Sequence, residues 1–111
     1  MIVTVPVSDV PAGKPLAVPV NDQLTLAVCQ VEGQYHAVDS KCPHRGAKLA
    51  EGELVGDLLV CPIHHFKFSL KNGRCVMPKH LKLRSFPVAQ EGDQLKIDVH
   101  LQVEQDAPRP V

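Results

Sequence analysis

The chain has 111 residues, of which 44% are apolar and 22% are charged, and its formal net charge is zero with neutral histidines. This length corresponds to one domain, and the composition is that of a soluble globular protein. A neutral chain lacks the basic excess that nucleic-acid binding requires, and no apolar run is long enough to span a membrane.

The N-terminal segment MIVTVPVSDV lacks a charged region followed by an apolar run. We therefore expect no signal peptide and a cytoplasmic location. In that compartment, the four cysteines are expected to be ligands or buried thiols rather than disulfides.

Short apolar runs separated by turn residues predict an all-β domain. In chain order, we expect strands over Ile2–Val7, Leu16–Val20, Leu24–Val31, Tyr35–Val38, Glu53–Val55, Leu58–Val60, Phe66–Leu70, Leu83–Val88 and Leu95–Val99. Turn residues at Glu32–Gly33, Gly56–Asp57 and Lys71–Gly73 predict hairpins. Ala47–Gly52 has room for one helical turn at most. We expect one domain over residues 1–101 and a flexible tail over residues 102–111.

Two segments each carry one thiol and one imidazole. They are Cys42-Pro43-His44-Arg45-Gly46 and Cys61-Pro62-Ile63-His64, and each follows an apolar strand. Sixteen residues separate His44 from Cys61, which leaves room for one small hairpin that brings the two loops side by side. We therefore expect two sulfur and two nitrogen ligands to converge at one tip of the sheet.

Two kinds of metal group suit this ligand set. Zn²⁺ accepts two Cys and two His ligands, but the Cys-x-His spacing is tighter than in usual zinc motifs. A [2Fe–2S] cluster takes two ligands on each iron, and neutral imidazoles on one iron raise the reduction potential. We favour one such cluster per chain, with Cys42 and Cys61 on one iron and His44 and His64 on the other.

The segment CPHRGAKLAEGELVGDLLVCPIHHFKFSLKNG resembles the Rieske domain of bacterial Rieske-type ferredoxins. The resemblance extends from about residue 35 to about residue 100, and includes Pro78 in the family's third loop, which covers the cluster. It implies a Rieske-type fold of stacked small antiparallel sheets. The two cluster-binding loops would lie at one tip, with the two histidine ligands nearest the surface.

Several positions depart from the family patterns. His65 stands where the ferredoxins usually have Gly. In high-potential Rieske proteins, Ala47 and Ile63 are replaced by disulfide cysteines, and Phe66 and Phe68 by hydroxyl residues that hydrogen-bond the cluster sulfurs. Because fewer hydrogen bonds stabilise the reduced cluster less, we expect a potential of roughly −150 mV, at the low end of the Rieske range.

Basic residues concentrate around the two motifs. Residues 41–84 hold nine of the twelve basic residues and three acidic ones, and nine minus three gives a formal charge of +6. The basic residues are either solvated loop residues or members of a ring that steers docking onto an acidic partner surface. The candidates for the ring are Lys41, Arg45, Lys48, Lys67 and Lys79.

Three further residues lie outside the ligand set. We expect Cys29 and Cys75 to act as small buried apolar side chains; the alternative is a disulfide or a redox role. His65 is either an ordinary residue or a modulator of the cluster or of partner contact.

The resemblance implies a one-electron carrier that receives electrons from a flavin-containing reductase. The acceptor would be a terminal oxygenase of the aromatic-ring dioxygenase type. The chain is too short to include an oxygenase's catalytic domain, so we expect a monomeric carrier and no enzyme activity of its own. Two alternatives remain: the small Rieske-like subunit of an NAD(P)H nitrite reductase, and a zinc-stabilised interaction module.

Overall fold

A computed structural model describes residues 2–42, 48–63, 66–70, 74–76 and 81–99 of the chain. The described residues form the strands β1 (Ile2–Pro6), β2 (Leu16–Pro19), β3 (Thr25–Val31), β4 (Gln34–Asp39), β5 (Glu53–Val55), β6 (Leu58–Val60), β7 (Lys67–Ser69), β8 (Ser85–Phe86), β9 (Val88–Glu91) and β10 (Gln94–Asp98). They assemble into three antiparallel sheets, in the orders β1-β10-β9, β2-β3-β4-β8 and β5-β6-β7. This confirms the predicted all-β class.

The first sheet, β1-β10-β9, is the terminal sheet. Val5 on β1 lies opposite Leu95 on β10, and Val3 lies opposite Ile97. Because alternate residues of a strand face the same side, Val5, Leu95 and Ile97 bury their side chains together. The terminal sheet therefore covers one apolar core, which it shares with the middle sheet and which we call the terminal core.

The middle sheet, β2-β3-β4-β8, separates the terminal core from a second core. On β3, Leu26 and Val28 belong to the terminal core, whereas Ala27 and Cys29 belong to the second. All four side chains are fully buried. Successive strand residues point to opposite faces, so β3 is covered on both sides and reads as a continuous apolar run rather than as an alternating one.

We call the second core the thiol core because it contains all four cysteines of the chain. Its buried members are Ala27, Cys29, Val38, Cys42, Leu49, Leu59, Cys61, Phe68, Leu70, Cys75 and Leu83. The third sheet, β5-β6-β7, packs on this core through Leu59 on β6, which lies opposite Leu54 and Phe68 on the flanking strands.

The predicted hairpins at Glu32–Gly33 and Gly56–Asp57 are confirmed. Glu32 and Gly33 have φ values of 52° and 79°, as in the primed turns that match the twist of two paired strands. The hairpin of β5 and β6 turns at Gly56, with φ of 60°. In both hairpins, the turn residues fix the register of the strands that follow.

The predicted strand Leu83–Val88 is wrong as a single element. The structure has β8 and β9 in its place, separated by Pro87, with β8 in the middle sheet and β9 in the terminal sheet. Proline has no N–H for a sheet hydrogen bond and its φ is fixed. The chain therefore leaves one sheet and enters the other at this residue.

Two single turns of 3-10 helix occur in the described chain. The turn Leu49–Glu51 falls inside the segment for which one turn was predicted, and Val7–Asp9, after β1, was not predicted. The expected turn at Lys71–Gly73 and the tail over 102–111 lie outside the described residues. Among the described residues, no helix is long and apolar enough to cross a membrane.

Candidate metal centre

Cys42 follows β4 at the start of a segment whose two ends are held together. Ser40, which is 4% exposed, accepts hydrogen bonds from Leu49 N–H at its carbonyl (2.6 Å) and from Ala50 N–H at its hydroxyl (3.1 Å). Lys41 and Lys48 pair as an antiparallel bridge. These contacts satisfy polar groups that would otherwise be buried without partners, and they fix the position of Cys42 at the end of the middle sheet.

Cys61 follows β6 at the start of the second predicted loop. Its backbone N–H donates to the carbonyl of Phe66 at 2.7 Å, which closes the segment between them. Pro62 and Ile63 form a turn inside this segment. Each predicted thiol ligand thus stands where a strand ends and a closed loop begins, as the sequence motif indicated.

The structure brings the two thiols together. Cys42 is fully buried and Cys61 is 1% exposed, and their side chains are hydrogen-bonded to each other. Burial raises the pKa of the Cys61 thiol; a hydrogen bond from Ile63 N–H opposes this rise, and the neighbouring Cys42 thiol adds to it. The Ile63 N–H is a donor already aimed at the sulfur, so it would stabilise Cys61 as a metal-bound thiolate.

The surroundings of the thiol pair are apolar. Phe68 is fully buried, and Phe66 is partly buried against the thiol core. Hydrocarbon side chains thus pack at the two positions for which the resemblance predicted that hydroxyl groups are missing. Ile63 is 45% exposed, so one of the positions that departs from the disulfide pattern lies at the surface.

All four cysteines are free thiols with buried side chains, as expected for ligands or small buried residues. The structure adds that Cys75 interacts electrostatically with Cys61. The sequence contains no signal for this proximity, because it arises where Cys75 pairs with Phe68 beside β7.

Sequence reasoning also missed Asp39 and Ser40, which hold the start of the first loop. Their signal was their residue type, since Asp and Ser before a turn often bond to the backbone of following residues. The predicted ligands His44 and His64 lie outside the described residues, as do Arg45, Ala47, His65, Pro78 and Lys79. The two thiols that are described fit the sulfur half of the predicted ligand set.

Comparison with known proteins identifies the family. The Rieske [2Fe–2S] domain family matches residues 1–87. The chain belongs to this family. Its cofactor is therefore a Rieske-type [2Fe–2S] cluster. Such a cluster requires two sulfur donors on one iron, and the adjacent buried thiols of Cys42 and Cys61 fit that requirement.

Two relatives are ferredoxin components of oxygenase systems. The chain is 35% identical over 96 residues to the 3-phenylpropionate/cinnamic acid dioxygenase ferredoxin subunit of Shigella boydii, a match that covers 85% of this chain and 89% of the relative. It is 40% identical over 67 residues to the ferredoxin component of the alkene monooxygenase system of Xanthobacter autotrophicus, which covers 60% of this chain and 55% of that relative.

Solved structures share the fold. A chain in the complex of reduced oxygenase and oxidized ferredoxin of carbazole 1,9a-dioxygenase matches with a TM-score of 0.77 and 30% identity, over 84% of this chain and 96% of that one. A nitrite reductase small subunit from Mycobacterium tuberculosis matches with a TM-score of 0.78 and 22% identity, over 87% and 93% of the two chains. At 22% identity, the second likeness concerns the fold alone.

Exposed side chains of two kinds lie at the ends of the loop segments. Lys41, Lys48 and Lys67 are exposed; Lys41 adjoins Cys42, Lys48 pairs with Lys41, and Lys67 adjoins Phe66. Ile63 and Val76 are large apolar residues with 45% and 47% exposure. Three of the five residues predicted to form a basic ring are thus solvated and placed beside the loops.

Proposed function

We propose that this chain is a Rieske-type ferredoxin, a one-electron carrier between a flavin-containing reductase and a terminal oxygenase of the aromatic-ring dioxygenase type. The single observation that carries the proposal is the buried, hydrogen-bonded pair of Cys42 and Cys61 in a chain of the Rieske family. The relatives that are ferredoxin components of oxygenase systems support it. We propose no enzyme activity for the chain by itself, and a cytoplasmic location.

We propose that Cys42, His44, Cys61 and His64 hold the cluster, with the thiolates on one iron and the imidazoles on the other. The bound cluster supplies a one-electron couple whose potential is raised by neutral imidazole ligation. The chain's own residues bury the two sulfur donors, direct the Ile63 N–H at Cys61, and exclude water with Phe66, Phe68 and their apolar neighbours.

We further propose that the exposed lysines beside the two loops steer the chain onto an acidic surface of its electron partners. Lys41 and Lys48 flank the first predicted ligand segment and pair with each other, and Lys67 follows the second in the sequence. The exposed Ile63 and Val76 would supply apolar contact once the partners meet. Charge would then act mainly on the rate of association, and apolar contact on the lifetime of the complex.

The ligand proposal is tested by removing one thiol at a time. In Cys42→Ala and Cys61→Ala, iron and acid-labile sulfide are expected to fall close to zero, and the reduced protein is expected to lose its paramagnetic resonance signal. Cys29→Ala is the matched control, because it removes a buried thiol of the same core that lies outside the motifs. Wild-type chain is expected to contain two irons per chain in a Rieske-type spectrum.

Other outcomes of this measurement are equally decisive. A colourless wild-type protein with stoichiometric zinc would replace the carrier with the zinc-stabilised module. A full cluster in Cys42→Ala would exclude Cys42 as a ligand. Stable co-purification of the coloured protein with a large sirohaem partner would favour the nitrite reductase subunit, an alternative that shares the fold, over the freely diffusing carrier.

A further inference from the structure

One carboxylate joins the start of the first ligand loop to a distant part of the chain. Asp39 Oδ1 accepts a hydrogen bond from Lys41 N–H at 2.9 Å, immediately before Cys42. Asp39 Oδ2 accepts from Arg84 Nη2 at 2.6 Å and from Arg84 Nε at 3.1 Å. The Asp39 N–H also donates to the Arg84 carbonyl at 2.9 Å. Asp39 therefore bonds Arg84, 45 positions further along the chain, and Lys41 at the same time.

Arg84 is itself held at the end of the segment that returns from Cys75. Cys75 N–H donates to the Leu81 carbonyl at 2.8 Å, and the Leu83 side chain is buried in the thiol core. The Arg84 guanidinium carbon lies 5.9 Å from the centre of the Phe86 ring, within the range of a cation–π contact. Through Arg84, Asp39 is thus connected to the part of the thiol core that contains Cys75.

The exposure of the Asp39–Arg84 ion pair indicates a role in positioning the loop rather than in stabilising the fold. The Arg84 side chain is 48% exposed and that of Asp39 is 14% exposed. A partly solvated ion pair contributes little to folding, because solvent screens it. Two guanidinium N–H groups of Arg84 nevertheless converge on one oxygen, Asp39 Oδ2, which defines the orientation of the two side chains and leaves Oδ1 for Lys41 N–H. We therefore expect the Asp39–Arg84 ion pair to determine mainly the positions of Lys41 and Cys42. We expect it to contribute little to the stability of the fold.

We propose that Asp39 is a positioning residue, which keeps Cys42 beside Cys61 by bonding the Lys41 backbone and Arg84 simultaneously. The inference rests on the proposed role of Cys42 as a cluster ligand. Loss of the carboxylate leaves Lys41 N–H without its acceptor and releases the start of the loop from Arg84. Cys42 then departs more easily from the iron it holds, so the chain retains its iron less well.

The test measures iron release from the reconstituted holoprotein to an excess of a chromogenic iron chelator. Outer residues that orient metal ligands typically alter metal retention by tenfold or more, so Asp39→Ala is expected to release iron about tenfold faster than wild type. Asp39→Asn keeps an Oδ1 acceptor for Lys41 and is expected to give an intermediate rate. Arg84 is the more exposed residue of the ion pair, so Arg84→Met is expected to fold normally and to release iron faster than wild type.

Asp93→Ala is the matched control, because it removes the same charge from an exposed residue in the turn between β9 and β10. It is expected to release iron at the wild-type rate. Two further readouts distinguish positioning from general destabilisation. The resonance g-values of reduced Asp39→Ala should shift, because they report ligand geometry, and its thermal unfolding midpoint by circular dichroism should stay close to that of Asp93→Ala.

Failure of this inference is distinguishable from failure of the proposed function. A wild-type chain that binds no iron–sulfur cluster overturns the proposed function. A wild-type cluster that Asp39→Ala and Arg84→Met both release at the wild-type rate overturns the positioning role alone. The positioning role is also overturned if iron release is faster, the thermal unfolding midpoint falls below that of Asp93→Ala, and the g-values are unchanged. If Asp39→Ala does not fold, Arg84→Met and Asp39→Asn decide the matter.

Discussion

Burial of Cys29 changes the pKa of its thiol. Cys29 lies on β3 opposite His36 of β4 and is fully buried. Burial raises the pKa of its thiol from 9.0 to about 12, because the ionised form loses hydration. Below pH 9, the folded and unfolded chains both keep this proton. Between pH 9 and 12, only the unfolded chain releases it, so this thiol lowers stability as the pH rises.

This shift predicts a pH-dependent difference between wild type and Cys29→Ala. The free energy of unfolding in urea should differ by a constant amount up to about pH 9. Above pH 9, the free energy of unfolding of wild type should fall by roughly 1.4 kcal/mol per pH unit relative to the variant, because only wild type has the Cys29 thiol. A difference that stays constant from pH 8 to pH 11 would show that Cys29 ionises as readily in the fold as outside it.

The hairpin of β5 and β6 depends on a close approach of two backbone segments. Gly52 precedes β5, and a Cβ atom at this position would collide with the carbonyl oxygen of Val60. It would also lie 3.1 Å from the Val60 carbonyl carbon and 3.2 Å from Pro62 Cδ. Val60 and Pro62 flank Cys61, so the absence of a side chain at Gly52 lets the second ligand segment lie where it does.

Gly52→Ala is therefore expected to displace the backbone on both sides of Cys61. Overpacking of this kind lowers the free energy of unfolding by about 1–3 kcal/mol. Because the displaced backbone flanks Cys61, the amount of iron bound per chain should also fall. The measurements are thermal unfolding and iron content of the purified protein. Gly56→Asn in the same hairpin is the control: no atom lies within 4 Å of a Cβ there, and Asn tolerates a positive φ. Equal iron content in the two variants would contradict the steric account.

At the scale of the whole molecule, charge is distributed unevenly although its sum is zero. Residues 41–84, which include both loop segments, carry nine basic and three acidic residues, and the rest of the chain carries the compensating acidic excess. The terminal sheet has a core separate from the thiol core. This separation provides a part of the molecule in which a charge can be changed without touching the ligand segments.

Lys48→Glu is expected to slow electron transfer to a terminal oxygenase that accepts electrons from the wild-type chain. Electrostatic steering acts on association, so a decrease of about fivefold is expected at low salt. It should diminish as the Debye length shortens to about 8 Å at 0.15 M salt. Stopped-flow kinetics test this, with Lys96→Glu on β10 as the control. Equal rates for wild type and Lys48→Glu at low salt would remove Lys48 from the docking surface.

Local sequence signals predicted the elements well. Strands Glu53–Val55 and Leu58–Val60 have the predicted bounds, since apolar runs between turn residues specify a hairpin locally. The sequence also predicted that the thiols of Cys42 and Cys61 converge, because ligand type and spacing are properties of short segments. The structure brings the two thiols together, and their binding of the cluster stays a prediction. The predicted strand across Pro87 was wrong because apolar residues continue through it, and only the pairing of each half shows that two sheets are involved.

The sequence by itself determined the all-β class and the hairpins at Glu32–Gly33 and Gly56–Asp57, and it predicted the thiol ligands, since turn chemistry, strand period and ligand spacing act between near neighbours. Only the tertiary structure decided that Cys75 lies near Cys61, that Gly52 meets Val60, and that Asp39 bonds Arg84. Such contacts join residues far apart in the chain. They arise when whole sheets pack around a common core, and no short segment encodes which side chains then meet.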